Sequence, residues 1–437
     1  MKTSFLFLCA AALAIGQSSA VDGTNTTAQN PLTFEECVRE AAENNPELYA
    51  AREGVNAARA NLLGSYSPFL PQLSASGSAR RNNQELDTGY QATTSYRAGI
   101  SASQNIFNGL QDIARLRQSR ARFNQTEINL QRIKANLSAD IRDTFAALLF
   151  AQDALVLYEK IAERRKENLS LIEMRFKAGT EDRGSLLRSQ AFYNQALLDV
   201  LEAKRQINVA RRKLNKALGR QDNAKIAVTG DWQRVAPPTP PDFEEMVKMT
   251  PEYRNADIQC VIAREAIRVA RAEFLPTWSV SADYGLSDDE SIIPHDESYS
   301  FGTSIGLNIF NGGLSIFSLR AARAEERATQ AQLRSATHSI LAALEERFTG
   351  WQNAVERARL QDELLSAAQT RMEIAQIKYS NGMMTFQDWD TIGNDLIANQ
   401  KSMLEREFGA VSAQAAWEKA VGFSVLPGAE HTGKAGK

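Results

Sequence analysis

Cysteine and histidine are scarce in this chain of 437 residues. It has three of each, and Cys9 falls in the N-terminal segment described below. The other two, Cys37 and Cys260, are too few for a disulfide scaffold in a secreted protein of this size. We expect both to be small apolar residues on helices. Because cysteine and histidine do not cluster, we predict neither a metal site nor a cofactor.

The chain also lacks a strong net charge. Its 50 basic and 52 acidic residues give a formal net charge of −2, which argues against a nucleic-acid partner. No nucleophile–base set, phosphate-binding loop or metal-ligand cluster is recognisable in the sequence. An enzyme is therefore not predicted.

Long apolar runs are absent except at the N-terminus. Residues 5–15 (FLFLCAAALAI) follow Lys2 and precede a Ser-Ser-Ala stretch at 18–20, which is the pattern of a secretory signal peptide. The run is too short for a membrane-spanning helix, which needs about 20 residues. We predict that residues 1–20 are removed on export and that the mature chain begins at Val21.

The chain contains a long internal repeat. The sequence NIFNG at 105–109 returns 203 residues later at 308–312, and FLP at 69–71 returns at 274–276. Repeats of this length are duplicated structural units rather than the short units of a solenoid. We predict a first structural repeat at 21–219, a Pro-rich linker at 220–241, a second repeat at 242–422, and a disordered tail at 423–437.

Four segments alternate apolar residues with small hydroxylic ones, two segments in each repeat. A period of two gives a strand one apolar and one polar face, so Ile305 and Ser304 are predicted on opposite faces. A soluble sheet would alternate in the same way, but segments of about ten residues with aromatic ends and polar loops favour membrane strands. The segments are 72–79, 96–102, 278–284 and 299–309.

Four strands cannot close a membrane barrel. In lipid, each unpaired backbone group at an open sheet edge costs several kcal/mol, so other copies of the chain must pair the edges. Two copies would give eight strands around an interior filled by side chains. Three copies would give twelve strands and room for a channel. An obligate oligomer is therefore predicted.

Each repeat also contains a very long helix. No glycine or proline occurs between Gly109 and Gly179. Between residues 314 and 381 there is no proline, and Gly350 is the one glycine. A continuous helix across the first stretch would be about 100 Å long. Apolar residues at steps of three and four indicate coiled-coil packing. On the second long helix, the residues at these steps have mostly small side chains, and we interpret His338 among them as a packed polar residue. They are Ala321, Ala324, Ala328, Ala331, Ser335, His338 and Ala342.

A tight turn is predicted at the end of each long helix. Phe176 and Gly179 mark the first turn, and Tyr379 and Gly382 mark the second. Glycine is favoured there because it adopts the left-handed conformation that follows a helix end. The remaining helices are predicted at 32–65 and 242–272, broken by prolines 46 and 251, and at 185–218 and 385–421.

This order of elements, present twice, resembles the TolC-like outer membrane efflux protein family over residues 32–422. The most specific marks are NIFNG at the strand–helix junction, FLP before each first strand, and the glycine turns. The resemblance implies a mainly α fold with a membrane β-hairpin pair. It implies a homotrimer in which a twelve-stranded barrel in outer-membrane lipid continues as a twelve-helix periplasmic α-barrel.

The resemblance further implies a channel subunit of a tripartite efflux or type I secretion system. Such a subunit works with a periplasmic adaptor and an inner-membrane pump, and this type serves drug, metal and protein export alike. A second class of function is a trimeric, barrel-anchored structural or adhesive coiled coil. That class needs a single stalk, and the paired turns with returning helices disfavour it.

Acids at the periplasmic entrance are also implied by the resemblance. Asp388 matches one of the aspartates that narrow the entrance in the family. The next one would fall at Thr391, so Asp390 is the nearest substitute for it. Read from the residues alone, both acids are equally compatible with solvated positions in the first turn of a helix, where the helix dipole favours negative charge.

The position of an arginine that ties the closed tip in some family members is occupied by Met384. A salt bridge of that kind is therefore not expected from this residue. We expect apolar packing around Phe386 and Trp389 to contribute to closing the tip instead.

Two pairs of arginines recur at the interval of the repeat. Arg117 and Arg120 return as Arg320 and Arg323, just below the predicted barrel. They either ring the bore or lie on the solvent-facing side of the helices, which is the commoner position for arginine.

Overall fold

The structure, a computed structural model, describes residues 31–86, 89–220, 224–232, 234–289 and 291–427. The predicted signal peptide at 1–20 lies outside these ranges. The elements, in chain order, are α1 Phe34–Asn44, α2 Pro46–Gly64, β1 Gln72–Leu86, β2 Gly89–Asn108, α3 Gln111–Lys177, α4 Arg183–Leu218, α5 Phe243–Met249, α6 Pro251–Ala272, β3 Thr277–Asp288, β4 Asp296–Gly306, α7 Leu314–Ser380 and α8 Phe386–Val421.

The two long helices are unbroken. α3 and α7 each contain 67 residues, and the returning helices α4 and α8 each contain 36. Gly350 lies inside α7 without interrupting it. The prediction of very long helices from the absence of glycine and proline is confirmed. The bounds of α7 and α8 lie 203 residues after those of α3 and α4.

Polar side chains cap the short helices at the predicted breaks. Asn45 is the N-cap residue of α2. Its Oδ1 accepts from the N–H groups of the second and third helical residues at 2.9 and 3.0 Å. Pro46 follows as the first helical residue, where a missing N–H costs nothing. Thr250 and Pro251 repeat this arrangement at α6. Cys37 on α1 and Cys260 on α6 are buried and unpaired, as expected.

The four strands form one antiparallel sheet in the order β1-β2-β3-β4. Its register aligns the predicted apolar residues in rows across all four strands. In one row Leu73 opposes Ala102, Ala102 opposes Ala282, and Ala282 opposes Phe301. The alternation read from the sequence therefore gives the sheet a single apolar face.

The other face of the sheet is hydroxylic. The hydroxyl oxygens of Ser74 and Ser101 lie 2.6 Å apart across β1 and β2. In the same row, Ser300 donates to the Asp283 carboxylate at 3.2 Å. β1 and β4 are the sheet edges, and each has one side without a strand partner among the described residues.

The strands begin and end differently from the prediction. β1 and β2 have 15 and 20 residues, because the hairpin ladder continues through polar residues that were expected to form a loop. β4 begins at Asp296 and ends at Gly306, so residues 307–309 lie outside it. This last stretch instead leads into the glycine pair before α7.

α3 lies at the centre of the helix layer. It packs against α2 and α6 near the sheet, and against α4 and α8 toward the turns, whereas α7 packs against α6 and α8. The order of helices across the layer is therefore α2-α3-α6-α7 near the sheet and α4-α3-α8-α7 near the turns. α7 forms one open edge of the layer, and α2 and α4 form the other.

The Pro-rich linker is not a free connection. Residues 224–232 pack on the middle of α3, where Ile226 and Val228 are buried. Val228 forms a parallel bridge with Leu32. The amide of Gln152 donates to the Val228 carbonyl and accepts from its N–H, at 2.9 and 3.0 Å. The prediction of a linker from its prolines overlooked these apolar side chains, whose burial stabilises the packed position.

Residues 423–427 of the C-terminal segment pack on the helix layer. Leu426 is buried against α3, and the Val425 N–H donates to the Ser138 hydroxyl at 3.1 Å. The Ser424 hydroxyl donates to the Lys134 carbonyl at 3.2 Å. The predicted disorder of 423–437 is wrong for 423–427, because Leu426 completes an apolar core. Residues 428–437 lie outside the described ranges.

These added segments form a layer on one side of the long helices. α1, the linker residues 224–232 and the tail residues 423–427 cover the middle of α3. α5 covers the middle of α7, with the Phe243 and Phe348 rings 5.7 Å apart. We call α1, α5 and these two segments the girdle.

Candidate channel entrance and subunit edges

Both helix turns contain the same hydrogen-bonded motif. Gly179 and Gly382 have φ of +73° and +71°, a left-handed conformation that favours glycine. The Thr180 N–H donates to the Arg175 carbonyl at 2.9 Å, and the equivalent bond after α7 is 2.8 Å. This is the Schellman arrangement, which satisfies the last carbonyls of a helix. The turns predicted at these glycines are confirmed.

The aromatic residues before the two turns have different environments. Phe176 is 38% exposed, whereas Tyr379 is 1% exposed and stacks on Trp389 with ring centroids 4.7 Å apart. The Tyr379 hydroxyl donates to Glu181 at 3.0 Å, and the Arg175 guanidinium lies 4.2 Å from the ring centroid. Burial, and then the Glu181 carboxylate, raise the pKa of Tyr379 to about 12. The hydroxyl therefore stays protonated and remains a donor.

An apolar cluster fills the tip between the two turns. Trp389 and Ile172 of α3 are buried in it, and Phe386 and Met384 pack at its margin. The Trp389 indole N–H donates to Gln376 at 2.9 Å, so its one polar group is satisfied. Met384, at the position of the family's tip arginine, is a member of this cluster.

Asp388 is exposed in the first turn of α8. Its N–H donates to the Thr385 hydroxyl at 3.2 Å, and one carboxylate oxygen accepts from that hydroxyl at 2.7 Å. The other oxygen has no hydrogen-bond partner among the described residues. Asp388 therefore has a helix-capping contact and an accessible negative charge.

Asp390 is 3% exposed and is not available to an aperture. Its two oxygens pair with Arg165 of α3 and Arg188 of α4, each at 3.1 Å, and Asn394 donates to it at 3.2 Å. The expectation of a gate acid at this position is wrong. Two residues correspond to about 200° around a helix, so Asp390 points away from the exposed side on which Asp388 lies.

The buried Asp390 cluster connects three helices. Burial lowers the pKa of Arg165, and the Asp390 carboxylate opposes that shift. Both guanidinium groups also lie over the Phe192 ring, at 4.8 and 5.4 Å from its centroid. A carboxylate removed from water needs such partners, because an uncompensated buried charge is costly. The cluster holds α8 to the α3–α4 hairpin.

Sequence reasoning missed Glu181, Arg165 and Arg188. Glu181 lies two residues beyond Gly179, so its place beside a turn was a usable signal. Arg165 is 225 residues away from Asp390 along the chain. No local pattern indicates that contact.

The four repeated arginines are exposed, and the Arg320 guanidinium lies 5.8 Å from the Phe317 ring centroid. No carboxylate of the described residues forms a salt bridge with Arg117, Arg120, Arg320 or Arg323.

The face of α3 on which Arg117 and Arg120 lie follows from its seven-residue repeat. The residues that face α6 recur every seven positions and are all buried, namely Ala114, Ala121, Ile128 and Ala135. On the same repeat, Arg117 is in phase with Ser138, and Arg120 is in phase with Lys134 and Ile141. Those three residues contact the girdle. Arg117 and Arg120 therefore lie on the girdle face of α3.

Arg320 and Arg323 occupy the same face of α7. Arg320 is in phase with Phe348, and Arg323 is in phase with Leu344. Phe348 and Leu344 are buried in the cluster that includes Val247 of α5. All four arginines thus lie on the side that carries the girdle and not on the opposite side of the helices.

A seam of small residues on α7 is open. On α3, the equivalent face meets α6, with Gln118 donating to the Ile262 carbonyl at 3.2 Å and Gln125 to Asn255 at 2.8 Å. The prediction that His338 is packed is wrong within one chain, because it and its neighbours on the seam are all exposed: Ala321, Ala324, Ala328, Ala331, Ser335 and Ala342.

The opposite edge of the layer is also exposed and partly apolar. Tyr49 and Leu63 on α2 are each 65% exposed, and Leu187 and Leu201 on α4 are more than half exposed. Large apolar side chains exposed along one edge of the layer make that edge a candidate interaction surface.

In the described part of the chain, no three His, Cys, Asp or Glu side chains group so as to hold a metal ion. The helices in those same ranges include none that is both long and apolar enough to cross a membrane.

Comparison with known proteins identifies the fold and the family. The model of the outer membrane efflux protein family matches residues 37–220 and 246–422. The chain is 25% identical over 411 residues to the pyoverdine export outer membrane protein OpmQ of Pseudomonas putida, covering 89% of this chain and 85% of that protein. It is 22% identical over 365 residues to the outer membrane protein TolC of Escherichia coli, covering 80% and 74%.

Solved structures with the same fold include CusC, described as forming a transmembrane channel, and VceC of Vibrio cholerae. The TM-scores are 0.81 and 0.78, each at 17% identity, covering 90% of this chain and 92% and 96% of the other. With the family model matching both halves, the chain belongs to the outer membrane efflux protein family, which confirms the resemblance and the outer-membrane location predicted from the sequence.

Proposed function

We propose that three copies of this chain form an export channel that crosses the outer membrane and extends into the periplasm. Substrates pass through it from an inner-membrane pump and a periplasmic adaptor to the exterior. The observation that carries the proposal is the open seam on α7, whose counterpart on α3 is filled by α6.

The repeat indicates what fills the open seam. α2 and α6 occupy equivalent places before their hairpins, and α3 packs against α6 within one chain. α7 of one copy can therefore pack against α2 of the next, as α3 packs against α6. A contact between different surfaces of identical chains repeats around a ring until the ring closes.

The sheet supports the same arrangement. Pairing β4 of one copy with β1 of the next removes both open edges, and four strands from each of three copies give twelve. The apolar face with Phe301 and Ile305 would meet lipid, and the hydroxylic face with Ser74 and Ser101 would line the bore. A pair of copies would leave no room for a channel.

The entrance lies at the helix turns. Three copies of Asp388 would surround the aperture there, and a ring of acids favours cations. The Tyr379–Glu181 bond and the Trp389 cluster would hold the tip closed until an adaptor and pump dock.

The relatives serve different cargoes. By their names, OpmQ exports pyoverdine, AprF serves alkaline protease secretion, and SrpC belongs to a solvent efflux pump. A fold shared by such different systems suits a common exit duct, and we propose that the pump selects the cargo. The comparisons give no support to an adhesive role, and the family consists of channel proteins rather than enzymes.

Two measurements on the purified protein test the proposal. Its mass in detergent should correspond to three chains, and planar bilayers should show single-channel currents that increase in the Tyr379→Phe variant, which lacks the bond to Glu181. A Phe176→Leu variant, altered at the exposed equivalent position, should behave like the wild type. A stable monomer that keeps its strand content would contradict the proposed channel. A trimer that conducts neither as the wild type nor as the Tyr379→Phe variant would contradict it as well.

A further inference from the structure

The arginines at 117, 120, 320 and 323, here called the collar, lie on the girdle face of the long helices. Three girdles placed inside a ring of twelve helices would fill the bore of the proposed channel. The girdle must therefore surround the ring from outside, and the collar faces outward with it. This step rests on the proposed function.

The collar lies directly beneath an apolar band. On the girdle face, an exposed isoleucine lies four residues before each arginine pair, Ile113 on α3 and Ile316 on α7. Phe310, just before α7, is 82% exposed. Apolar and aromatic residues above, with arginines below, are the arrangement found where a protein leaves a bilayer.

The positions along the helices agree with a membrane surface. The arginines begin six and nine residues into α3 and α7, which places them about 9 and 14 Å below the helix starts. That depth follows directly after the strand ends and their apolar band. Guanidinium groups there can reach lipid phosphates, which arginine binds in a bidentate manner.

We propose that the collar binds the phosphates of anionic phospholipids in the periplasmic leaflet of the outer membrane. Each chain contributes four guanidinium groups without a salt-bridge partner among the described residues, so a trimer presents twelve around its circumference. Juxtamembrane arginines attract anionic lipid electrostatically. The lipid collar fixes how deeply the barrel sits and keeps the long helices perpendicular to the membrane.

The opposite face of α3 provides a matched control. Arg115 and Arg122 are exposed, are seven residues apart, and lie half a helix turn away from the collar stripe. In the closed ring they face the bore. Their removal takes two positive charges from α3, as the α3 half of the collar variant does, without touching the lipid-facing surface.

The test compares lipid preference of intact trimers. The wild type, a collar variant with all four arginines changed to Gln, and the Arg115→Gln/Arg122→Gln control are placed in mixed micelles with phosphatidylglycerol or phosphatidylcholine. Native mass spectrometry then counts retained lipids at low and high salt. We expect the wild type and the control to retain phosphatidylglycerol preferentially. In the collar variant, the ratio of retained phosphatidylglycerol to retained phosphatidylcholine should fall about tenfold.

A third variant with the collar arginines changed to Lys should recover most of the preference, because charge is kept. Loss in the control equal to that in the collar variant would overturn the proposal, as would unchanged preference in the collar variant. Selective loss of binding to purified peptidoglycan sacculi, with lipid retention intact, would assign the collar to that polymer and also overturn it. Failure of every variant and the wild type to form trimers would instead contradict the proposed function.

Discussion

Asp388 and Asp390 show how two acids, two residues apart, acquire different roles. Asp388 is exposed and touches only Thr385, whereas Asp390 is enclosed by Arg165 and Arg188. The sequence pattern treats them alike, as acids in the first turn of α8. Their opposite directions from the helix axis decide which one can act on passing ions and which one stabilises the tip.

Asp388→Ala should weaken cation selectivity and block by multivalent cations, because the proposed ring loses its charge. Folding should change little, since an exposed capping contact of this kind contributes about 1 kcal/mol. Bilayer currents with and without a multivalent cation measure the effect. Full cation preference in the variant would place the constriction elsewhere.

Asp390→Asn should act on stability instead. It leaves Arg165 buried without a counter-charge, which costs about 3–5 kcal/mol, so thermal unfolding and limited proteolysis of the tip should both begin earlier. Block by multivalent cations should stay as in the wild type. The double variant Arg165→Ala/Asp390→Leu copies the residues at the equivalent positions, Ala368 and Leu187, and should recover part of the loss. An Asp390→Asn protein as stable as the wild type would mean that the cluster contributes nothing.

At the scale of elements, the linker stabilises the helix layer through one arginine. Arg234 pairs with Asp362 on α7 and with Glu407 on α8, and Trp232 donates to Asp153 on α3 at 2.9 Å. Three helices that are distant in sequence are thereby joined at the level of the girdle.

The Arg234 contact should depend on pH in a defined direction. Its guanidinium lowers the pKa of Asp362, so the stabilisation is complete above the ordinary carboxyl value of about 3.9 and is lost as the pH falls through the lower folded value. Arg234→Gln should reduce the melting temperature at pH 7, and the difference from the wild type should shrink toward pH 3. A difference that is equally large at both pH values would exclude the ion pair as its cause.

The strand faces make a prediction about assembly. Ile305 lies on the apolar face and is 74% exposed, and a charge on the lipid side of a barrel costs about 2–4 kcal/mol at mid-depth. Ile305→Arg should reduce trimer yield in membranes, whereas Ser304→Arg should assemble and alter ion selectivity. Reversed effects at the two sites would show that the faces are assigned to the wrong sides, and equal effects would show that the two faces do not differ in their surroundings.

For the whole molecule, the open α7 seam should control oligomerisation. Ala328→Phe places a large side chain where α2 of the next copy would pack, and overpacking costs about 1–3 kcal/mol at each of three contacts. The variant should remain largely monomeric in detergent by mass measurement. Gln330→Phe, on the girdle face of the same helix, serves as the control and should form trimers. Trimers of normal stability in both variants would show that the seam is not an interface.

The sequence by itself determined the features that depend on local periodicity. Two 67-residue helices follow from the lack of proline and the near absence of glycine, with Gly350 the one glycine inside them, and the turns follow from Gly179 and Gly382. The sheet faces follow from strict alternation. Each of these is set by backbone sterics and by neighbours within a few residues, so a single segment contains the information.

Only the tertiary structure decided the contacts between distant segments. Asp390 is buried because Arg165, 225 residues away, lies beside it. Residues 224–232 and 423–427 are packed in place because Val228 and Leu426 complete one apolar core. The face of the arginine collar required the position of the girdle, which no spacing in the sequence reveals. Burial and ion pairing depend on which helices become neighbours, and that is settled by packing of the whole chain rather than by the residues on either side.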